Sequence, residues 1–176
     1  MAIISGGEWR GRVLPSKVPS GVRPTSSRVR EAIFSILGQD LSEVRFLDGY
    51  GGTGIMGIEA ASRGADVVLV ERSNNAMRAI IANGEAVGAD WTTRVGDVER
   101  IASSLGQFDV VFLDPPYLEE PERVLNALSQ TLLVDGLLLY EAAKQTLAPE
   151  ECAGLILERI KPYGNSQLLF YRHATA

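Results

Sequence analysis

Asp114, Pro115, Pro116 and Tyr117 follow directly on the apolar run Phe108-Asp109-Val110-Val111-Phe112-Leu113. This order puts a carboxylate, two ring-restricted backbone units and an aromatic face at the mouth of a buried strand. Such a set suits a flat nitrogen heterocycle that carries an exocyclic amino group. The lone pair of that nitrogen is delocalised into the ring, so reaction there needs fixed acceptors that hold the amino protons and aim the lone pair. Asp114 offers one acceptor and the Pro115 carbonyl a second, with the proline rings restricting the backbone. Tyr117 offers a stacking surface, worth roughly 1–3 kcal/mol per base. A base inside a duplex is out of reach, so the target is unpaired or flipped out.

Upstream, Asp48-Gly49-Tyr50-Gly51-Gly52-Thr53-Gly54 follows the apolar stretch Val44-Arg45-Phe46-Leu47. Gly51, Gly52 and Gly54 let backbone approach a ligand and adopt positive φ, and the helix that follows offers free N–H groups. Glu71, at the end of the next strand, suits the two hydroxyls of a ribose. Asp97, after Gly96 at a third strand end, suits an adenine amino group or equally the N-cap of the helix behind it. The adjoining Arg72 and Val98 are counted with this cofactor site. The G-x-G-x-x-G spacing occurs in two registers, Gly49/Gly51/Gly54 and Gly52/Gly54/Gly57, and alone it also admits a nicotinamide dinucleotide. Asp48 favours S-adenosylmethionine, because its charge would face a dinucleotide's pyrophosphate but pairs with an ammonium and a sulfonium. The residues thus point to methylation of a base amino group in RNA or DNA. A dinucleotide-binding oxidoreductase and a non-catalytic RNA-binding protein stand as alternatives.

Other chemistries lack their residues. Cys152 is the single cysteine and His173 the single histidine, which leaves no soft metal site and no internal disulfide. C5 methylation of a pyrimidine needs a cysteine nucleophile, whereas Cys152 reads as a packing residue in a late helical or loop stretch. Ser103-Ser104 has no nearby histidine to activate it. No apolar run is long enough to span a bilayer, no secretory leader is visible, and the cysteine usage fits a reducing cytoplasm.

These residues must be carried by alternating strands and helices. Strands are expected at Val44–Leu47, Val67–Val70, Trp91–Val95, Phe108–Leu113 and Leu137–Tyr140. Helices are expected near Thr53–Arg63, 74–87, Val98–Leu105 and Glu120–Leu132. The pattern predicts an α/β, Rossmann-like, mainly parallel sheet with helices on both faces. Leu155–Ile160 and Gln167–Tyr171, joined by Pro162-Tyr163-Gly164-Asn165, read as an antiparallel final pair. Before this core, Ile3-Ile4 and Val13-Leu14 flank a turn at Gly6-Gly7 and read as a short hairpin. A helix capped by Ser26 or Ser27 follows and ends at Gly38. The 176 residues read as one domain: an extension at 1–40 and a catalytic core at 41–176.

Charge separates the same two parts. The whole chain carries a net charge of -5, yet residues 1–30 hold Arg10, Arg12, Lys17, Arg23, Arg28 and Arg30 against Glu8 alone. A basic segment on an acidic body reads as a phosphate-binding arm, since phosphate affinity follows local charge.

The chain resembles the RsmD-type methyltransferases, which modify the N2 amino group of a guanine in 16S ribosomal RNA. The likeness is carried by Ile3-Ile4-Ser5-Gly6-Gly7 with Trp9-Arg10-Gly11-Arg12, Arg23-Pro24-Thr25 with Arg28-Val29-Arg30-Glu31, and Asp48 to Gly54. It continues through Gly57-Ile58-Glu59-Ala60-Ala61-Ser62-Arg63-Gly64-Ala65, Glu71, Asn83 and Asp114-Pro115-Pro116-Tyr117. The resemblance implies a class I fold of seven strands and S-adenosylmethionine over the first two strand ends. It also implies that Arg10, Arg12, Arg23, Thr25, Arg28 and Arg30 touch RNA. The implied substrate is small-subunit ribosomal RNA, free or in a 30S assembly particle, and the implied enzyme is a monomer without metal. Gly49, Tyr50, Gly51 and Thr53 depart from the family's usual loop. The added glycines are expected to loosen it, and Tyr50 to bring a hydroxyl near the cofactor.

Overall fold

The computed structural model describes residues 2–18, 20–21, 24–116 and 119–174. Its elements are α1 (Ser27–Leu37), β1 (Arg45–Asp48), α2 (Ile55–Ser62), β2 (Asp66–Glu71), α3 (Asn74–Val87), β3 (Thr92–Val95), α4 (Val98–Ile101), β4 (Phe108–Leu113), α5 (Pro121–Leu128), β5 (Leu132–Ala143), β6 (Glu151–Cys152), β7 (Leu155–Tyr163) and β8 (Ser166–His173). Short 3-10 turns extend α4 over Ala102–Ser104 and α5 over Ser129–Thr131, because each helix is too short to reach the next strand alone. The strands form one sheet in the order β3-β2-β1-β4-β5-β8-β7-β6. β1 to β5 pair in parallel, and β5 with β8, β8 with β7 and β7 with β6 pair antiparallel.

The inner parallel strands β1, β2 and β4 are apolar on both sides because both sheet faces are covered there, whereas the edge strand β3 is largely exposed. On β1, Phe46 packs into one apolar cluster and Leu47 into the other. On β4, Val110 and Phe112 go one way, and Val111 and Leu113 the other. The first cluster holds the N-terminal extension: Ile4, Trp9, Leu14, Val29, Ile33 and Phe34 pack with Phe46, Phe112 and Phe170. Residues from both ends of the chain therefore share one core. Ser26 caps α1 through its side chain, which accepts from the Val29 N–H, and Gly38 ends the helix at φ 100°.

The antiparallel end departs from expectation in three ways. The sheet has eight strands rather than seven. The extra strand, β6, carries Cys152, which the sequence reading placed in a helical or loop stretch. Its hairpin turns at Ala153 (φ 53°) and Gly154 (φ 78°), the double positive φ of a tight two-residue turn. An alanine gives no sequence signal for that turn. Second, β5 starts at Leu132, not Leu137. Leu132 pairs with Phe108, the register then shifts, and Leu137 pairs with Val110. Val134-Asp135-Gly136 looks like a turn but is an irregularity within the strand, held by Arg172 donating to the carbonyls of Asp135 (2.8 Å) and Gly136 (2.9 Å). Third, Pro162 and Tyr163 lie inside β7, and the turn shrinks to Gly164-Asn165, with Gly164 at φ 60°. Pro162 is tolerated because β6 covers only Leu155 and Ile156 of β7, leaving an open edge there.

The N-terminal hairpin is slighter than expected. It is one antiparallel bridge, Ile3 to Val13, with Ile4 N–H donating to Arg12 O (3.0 Å) and Gly11 N–H to Ile4 O (2.9 Å). The end of α2 holds it in place. Glu8 N–H donates to Ser62 O (2.7 Å), Trp9 N–H to Ser62 Oγ (3.0 Å), and Ser62 Oγ–H to Gly6 O (2.7 Å). Gly7 sits at φ 77°, and a Cβ there would lie 1.9 Å from Ser62 O, so this approach requires glycine.

Beneath the hairpin lies Glu59 of α2, with no exposed surface. Its Oε1 accepts from Ser5 N–H (2.7 Å) and its Oε2 from Ser5 Oγ–H (3.0 Å). Arg63 Nη1 reaches Oε2 at 2.5 Å, and Arg30 Nε stands 3.0 Å from Oε1. Arg63 also lies over the Phe34 ring at 4.3 Å, and Arg30 Nη2 donates to Ile3 O (3.0 Å). One buried carboxylate thus joins hairpin, α1 and α2. Removing one partner of a buried ion pair costs about 3–5 kcal/mol. Glu59→Ala is accordingly expected to lower stability by that order in urea unfolding and to free the N-terminal segment to limited proteolysis.

Candidate functional site

The order of the sheet reverses between β1 and β4, and this is where an open α/β sheet leaves a crevice at its strand ends. Asp48 closes β1, and its register partner on β4 is Phe112, two residues before Asp114. The two carboxylates line one small cavity of about 20 Å³ together with Thr25, Tyr50, Gly51 and Gly52. A larger cavity of about 560 Å³ adjoins it, lined by Ser16, Thr25, Thr53, Ile55 and Asn83 among others.

The loop after β1 is tightly held. Gly49 N–H donates to Phe112 O (3.0 Å), Gly51 N–H to Val70 O (2.8 Å) and Gly54 N–H to Gly51 O (2.7 Å). Gly52 N–H donates to Glu71 Oε2 (2.8 Å). The expectation that Gly49 and Gly51 loosen the loop is therefore corrected. A Cβ on Gly49 would meet Leu113 Cδ2 at 2.6 Å, and one on Gly51 would meet Leu69 Cδ2 at 2.6 Å. Both leucines are fully buried, so the glycines make room for core side chains that reach up into the loop. Tyr50 donates its hydroxyl to Glu99 Oε1 (3.1 Å), and burial pushes its pKa up. Thr53 is fixed through its carbonyl, which accepts from Asn83 Nδ2 (3.3 Å).

Asp48 is 1 % exposed. Its Oδ2 accepts from the N–H of Gly57 (3.1 Å), in the first turn of α2, and its Oδ1 is buried without a hydrogen-bond partner. Burial pushes its pKa up to about 7; the Gly57 N–H opposes that rise, the nearby Glu71 charge adds to it, and the Tyr50 backbone N–H also opposes it. An orphaned carboxylate oxygen facing a glycine loop lacks one thing, a positive charge. The ammonium and sulfonium of S-adenosylmethionine fit that need, whereas a pyrophosphate does not.

Glu71 is half-buried, with Oε1 accepting from Ser73 N–H (2.7 Å) as well as Oε2 from Gly52. The carboxylate is thereby fixed at the end of β2 with lone pairs left for ligand hydroxyls. Arg72 beside it is exposed. Asp97 caps α4 by accepting from Glu99 N–H (3.0 Å), so its helix-capping role is seen directly, and Val98 behind it is buried. Pro115 is buried and Pro116 exposed. Glu119 N–H donates to Pro116 O (2.9 Å). Tyr117 lies outside the described residues.

The expected RNA-contacting residues separate into three kinds. Arg10 and Arg28 are exposed. Arg12 is exposed but donates to Val87 O (3.2 Å) and Ala86 O (2.8 Å) at the end of α3. Arg30 is 6 % exposed and committed to Glu59. It is corrected from phosphate contact to core ion pair, because the buried carboxylate beside it demands a cation. Thr25 is likewise corrected. It is 9 % exposed, and its Oγ1 stands 3.4 Å from Asp114 Oδ2, so it faces the carboxylate and not the exterior. Arg23 lies outside the described residues. Among the described residues no cluster of three His, Cys, Asp or Glu could hold a metal, and no helix is long and apolar enough to cross a membrane.

Sequence reading missed the structural parts of Asn83 and Glu99. Asn83 accepts from Ser16 N–H (3.0 Å) and so ties the extension to the glycine loop. A buried asparagine inside the amphipathic face of a helix is the available signal. Glu99 joins Tyr50 to Arg123 of α5 (3.2 Å), and Arg123 pairs onward with Glu119. Surface spacing gives no sign of that chain.

The sequence profile of the family described as Conserved hypothetical protein 95 matches residues 1–172. Ribosomal RNA small subunit methyltransferase D of Escherichia coli K12 is 32 % identical over 183 residues, covering 96 % of this chain and 88 % of that one. The solved structure of the Escherichia coli protein yhhF superimposes with a TM-score of 0.86 at 30 % identity, covering 99 % of each chain. A hypothetical protein of Thermus thermophilus gives 0.85 at 30 % identity, covering 98 % of this chain and 99 % of the other.

The raised pKa of Asp48 has a sign. Between its unfolded value of 3.8 and its folded value of about 7, the native state binds more protons than the unfolded one, so stability without ligand falls as pH rises through that window. A cationic ligand favours the carboxylate and releases the proton. Affinity for S-adenosylmethionine is expected to rise with pH up to about 7, by at most roughly tenfold per unit. Asp48→Asn is expected to weaken binding and flatten that slope in calorimetric titrations.

Proposed function

This chain belongs to the Conserved hypothetical protein 95 family, the RsmD-type methyltransferases, and on that premise we propose that it methylates the N2 amino group of a guanine in small-subunit ribosomal RNA, using S-adenosylmethionine. The observation that carries the reading is the pair of carboxylates at the switch point. Asp48 is buried with an unanswered oxygen, and Asp114 lies two residues past its strand partner in the same cavity.

In this mechanism Asp48 faces the ligand's positive end, the backbone of Gly51 to Gly54 borders its methionine part, and Glu71 takes the ribose hydroxyls. Asp97 and Val98 border the adenine, with Arg72 at the rim. S-adenosylmethionine, when bound, supplies an electrophilic methyl group. Asp114 and the Pro115 carbonyl would accept from the base amino group, which would favour a pyramidal nitrogen with its lone pair free to react. Pro116 restrains the turn, and Tyr117 stacks on the base. Asp114 is also placed to take the proton that the nitrogen sheds after transfer.

Residues 1–40 serve as the RNA-contacting extension of the single domain, with the core at 41–176. Arg10, Arg28 and Arg23 are the candidates for phosphate, with Arg12 in a shared role. The basic segment supports this reading, as does the name of the Escherichia coli relative. The adenine-N6 amine of DNA is the runner-up substrate, because the same acceptors serve both amines. The enzyme is proposed to work as a monomer in the cytoplasm, without metal.

Labelled methyl transfer to unmodified small-subunit RNA, or to its assembly particle, tests the whole reading, and the expected product is N2-methylguanosine. Label on adenine in DNA but not on RNA would overturn it. Asp114→Ala is expected to lower turnover by at least about a hundredfold while calorimetry still detects cofactor binding. Neutralising Arg10 and Arg28 together is expected to reduce the slope of log affinity against log salt by about 2. An unchanged slope would remove them from the RNA contact.

A further inference from the structure

Thr25 sits in the most basic stretch of the chain but does not face outward. It is 9 % exposed, and its hydroxyl donates to Asp114 Oδ2 at 3.4 Å. It lines the same small cavity as Asp48, Gly51 and Phe112. Its neighbours fix where it stands. Pro24, directly before it, has its own φ fixed by its ring. Ser26 after it caps α1, and α1 is bolted to α2 through Arg30 and Glu59. A rigid path therefore runs from a buried ion pair to a hydroxyl at the catalytic carboxylate.

Rotation of a carboxylate about its last torsion is soft. A carboxylate that must receive an amino group in one plane gains from a donor that stops this rotation. Thr25 is so placed, and its long hydrogen bond is of the kind that shortens when substrate closes the site. We infer that Thr25 is a positioning residue for amino-group methylation, holding the plane of the Asp114 carboxylate from the N-terminal extension. The inference rests on the reading of Asp114 as the amino-group acceptor. It replaces the RNA contact that the family resemblance implied for Thr25, and it makes the extension part of the catalytic centre as well as of the RNA surface.

The test uses the full chain and the amine acceptor on which the wild-type enzyme turns over. Thr25→Val keeps the shape and removes the hydroxyl, whereas Thr25→Ser keeps the hydroxyl. Valine is expected to lower kcat about tenfold, the lower range for a hydrogen bond to a charged group. The KM for RNA and the Kd for S-adenosylmethionine should stay within about twofold, and serine should restore most of the lost kcat. Wild-type kcat in the valine variant would overturn the inference. So would a serine variant as slow as valine, or a loss confined to the KM for RNA, which would return Thr25 to RNA contact. Absence of wild-type transfer to any amine would overturn the underlying reading instead, and the inference with it.

Discussion

A carboxylate sealed from water must be answered by charge and by hydrogen-bond donors, and Glu59 is the place where this chain obeys that rule. Two arginines, a backbone N–H and a hydroxyl converge on it. They come from the hairpin, α1 and α2, so satisfying one side chain of α2 fixes the hairpin and α1 on the core. The first apolar cluster then closes over Phe46 and Phe112, on strands that end in the site. The extension is short of regular structure of its own, with one bridge and one helix. Its place comes from Glu59 and Ser62.

The site inherits that order. Parallel pairing sets Asp48 opposite Phe112, and the two residues that follow put Asp114 at the same crevice. The two acids then meet different surroundings. Asp48 is enclosed, takes one helix N–H and keeps one oxygen unanswered, so its neutral form competes near neutral pH. Asp114 lies partly open at the next strand end, with Thr25 beside it. One acid is therefore suited to a cation that arrives and leaves, the other to a neutral amine. This division of labour follows from burial and register alone.

Much of this is legible in the sequence. Strands buried on both faces show as apolar runs, hence Val110–Leu113 within Phe108–Leu113 and Val67–Val70 within Asp66–Glu71. Glycine and acid at their ends mark where chain turns toward ligand. The antiparallel end is less legible, because its turns use Ala153 at positive φ and its longest strand runs through Asp135-Gly136. In both, tertiary pairing overrides a local preference. The arginines are the clearest limit. Arg10 and Arg30 are equivalent in composition, yet one is exposed and the other neutralises Glu59. Only the fold tells an exposed arginine from a core cation, and only the fold turns Thr25 toward Asp114.

The cofactor loop shows how a sequence can depart from its family and stay ordered. Glycine at 49 and 51 removes side chains from a turn that has to be stiff, and freedom of this kind ordinarily costs about 0.5–1 kcal/mol per residue. Here the vacated space is taken by Leu113 and Leu69, which rise from the strands below. The N–H of each glycine bonds to a neighbouring strand, at Phe112 O and Val70 O. Tyr50, between them, anchors through Glu99 to Arg123, which pairs with Glu119. The loop is thus held from beneath by apolar packing and from the side by a polar chain that runs through Glu99 and Arg123 to Glu119. Its order comes from the sheet beneath it: Leu113 and Leu69 fill the space that side chains at 49 and 51 would need, so the glycines and the leucines go together.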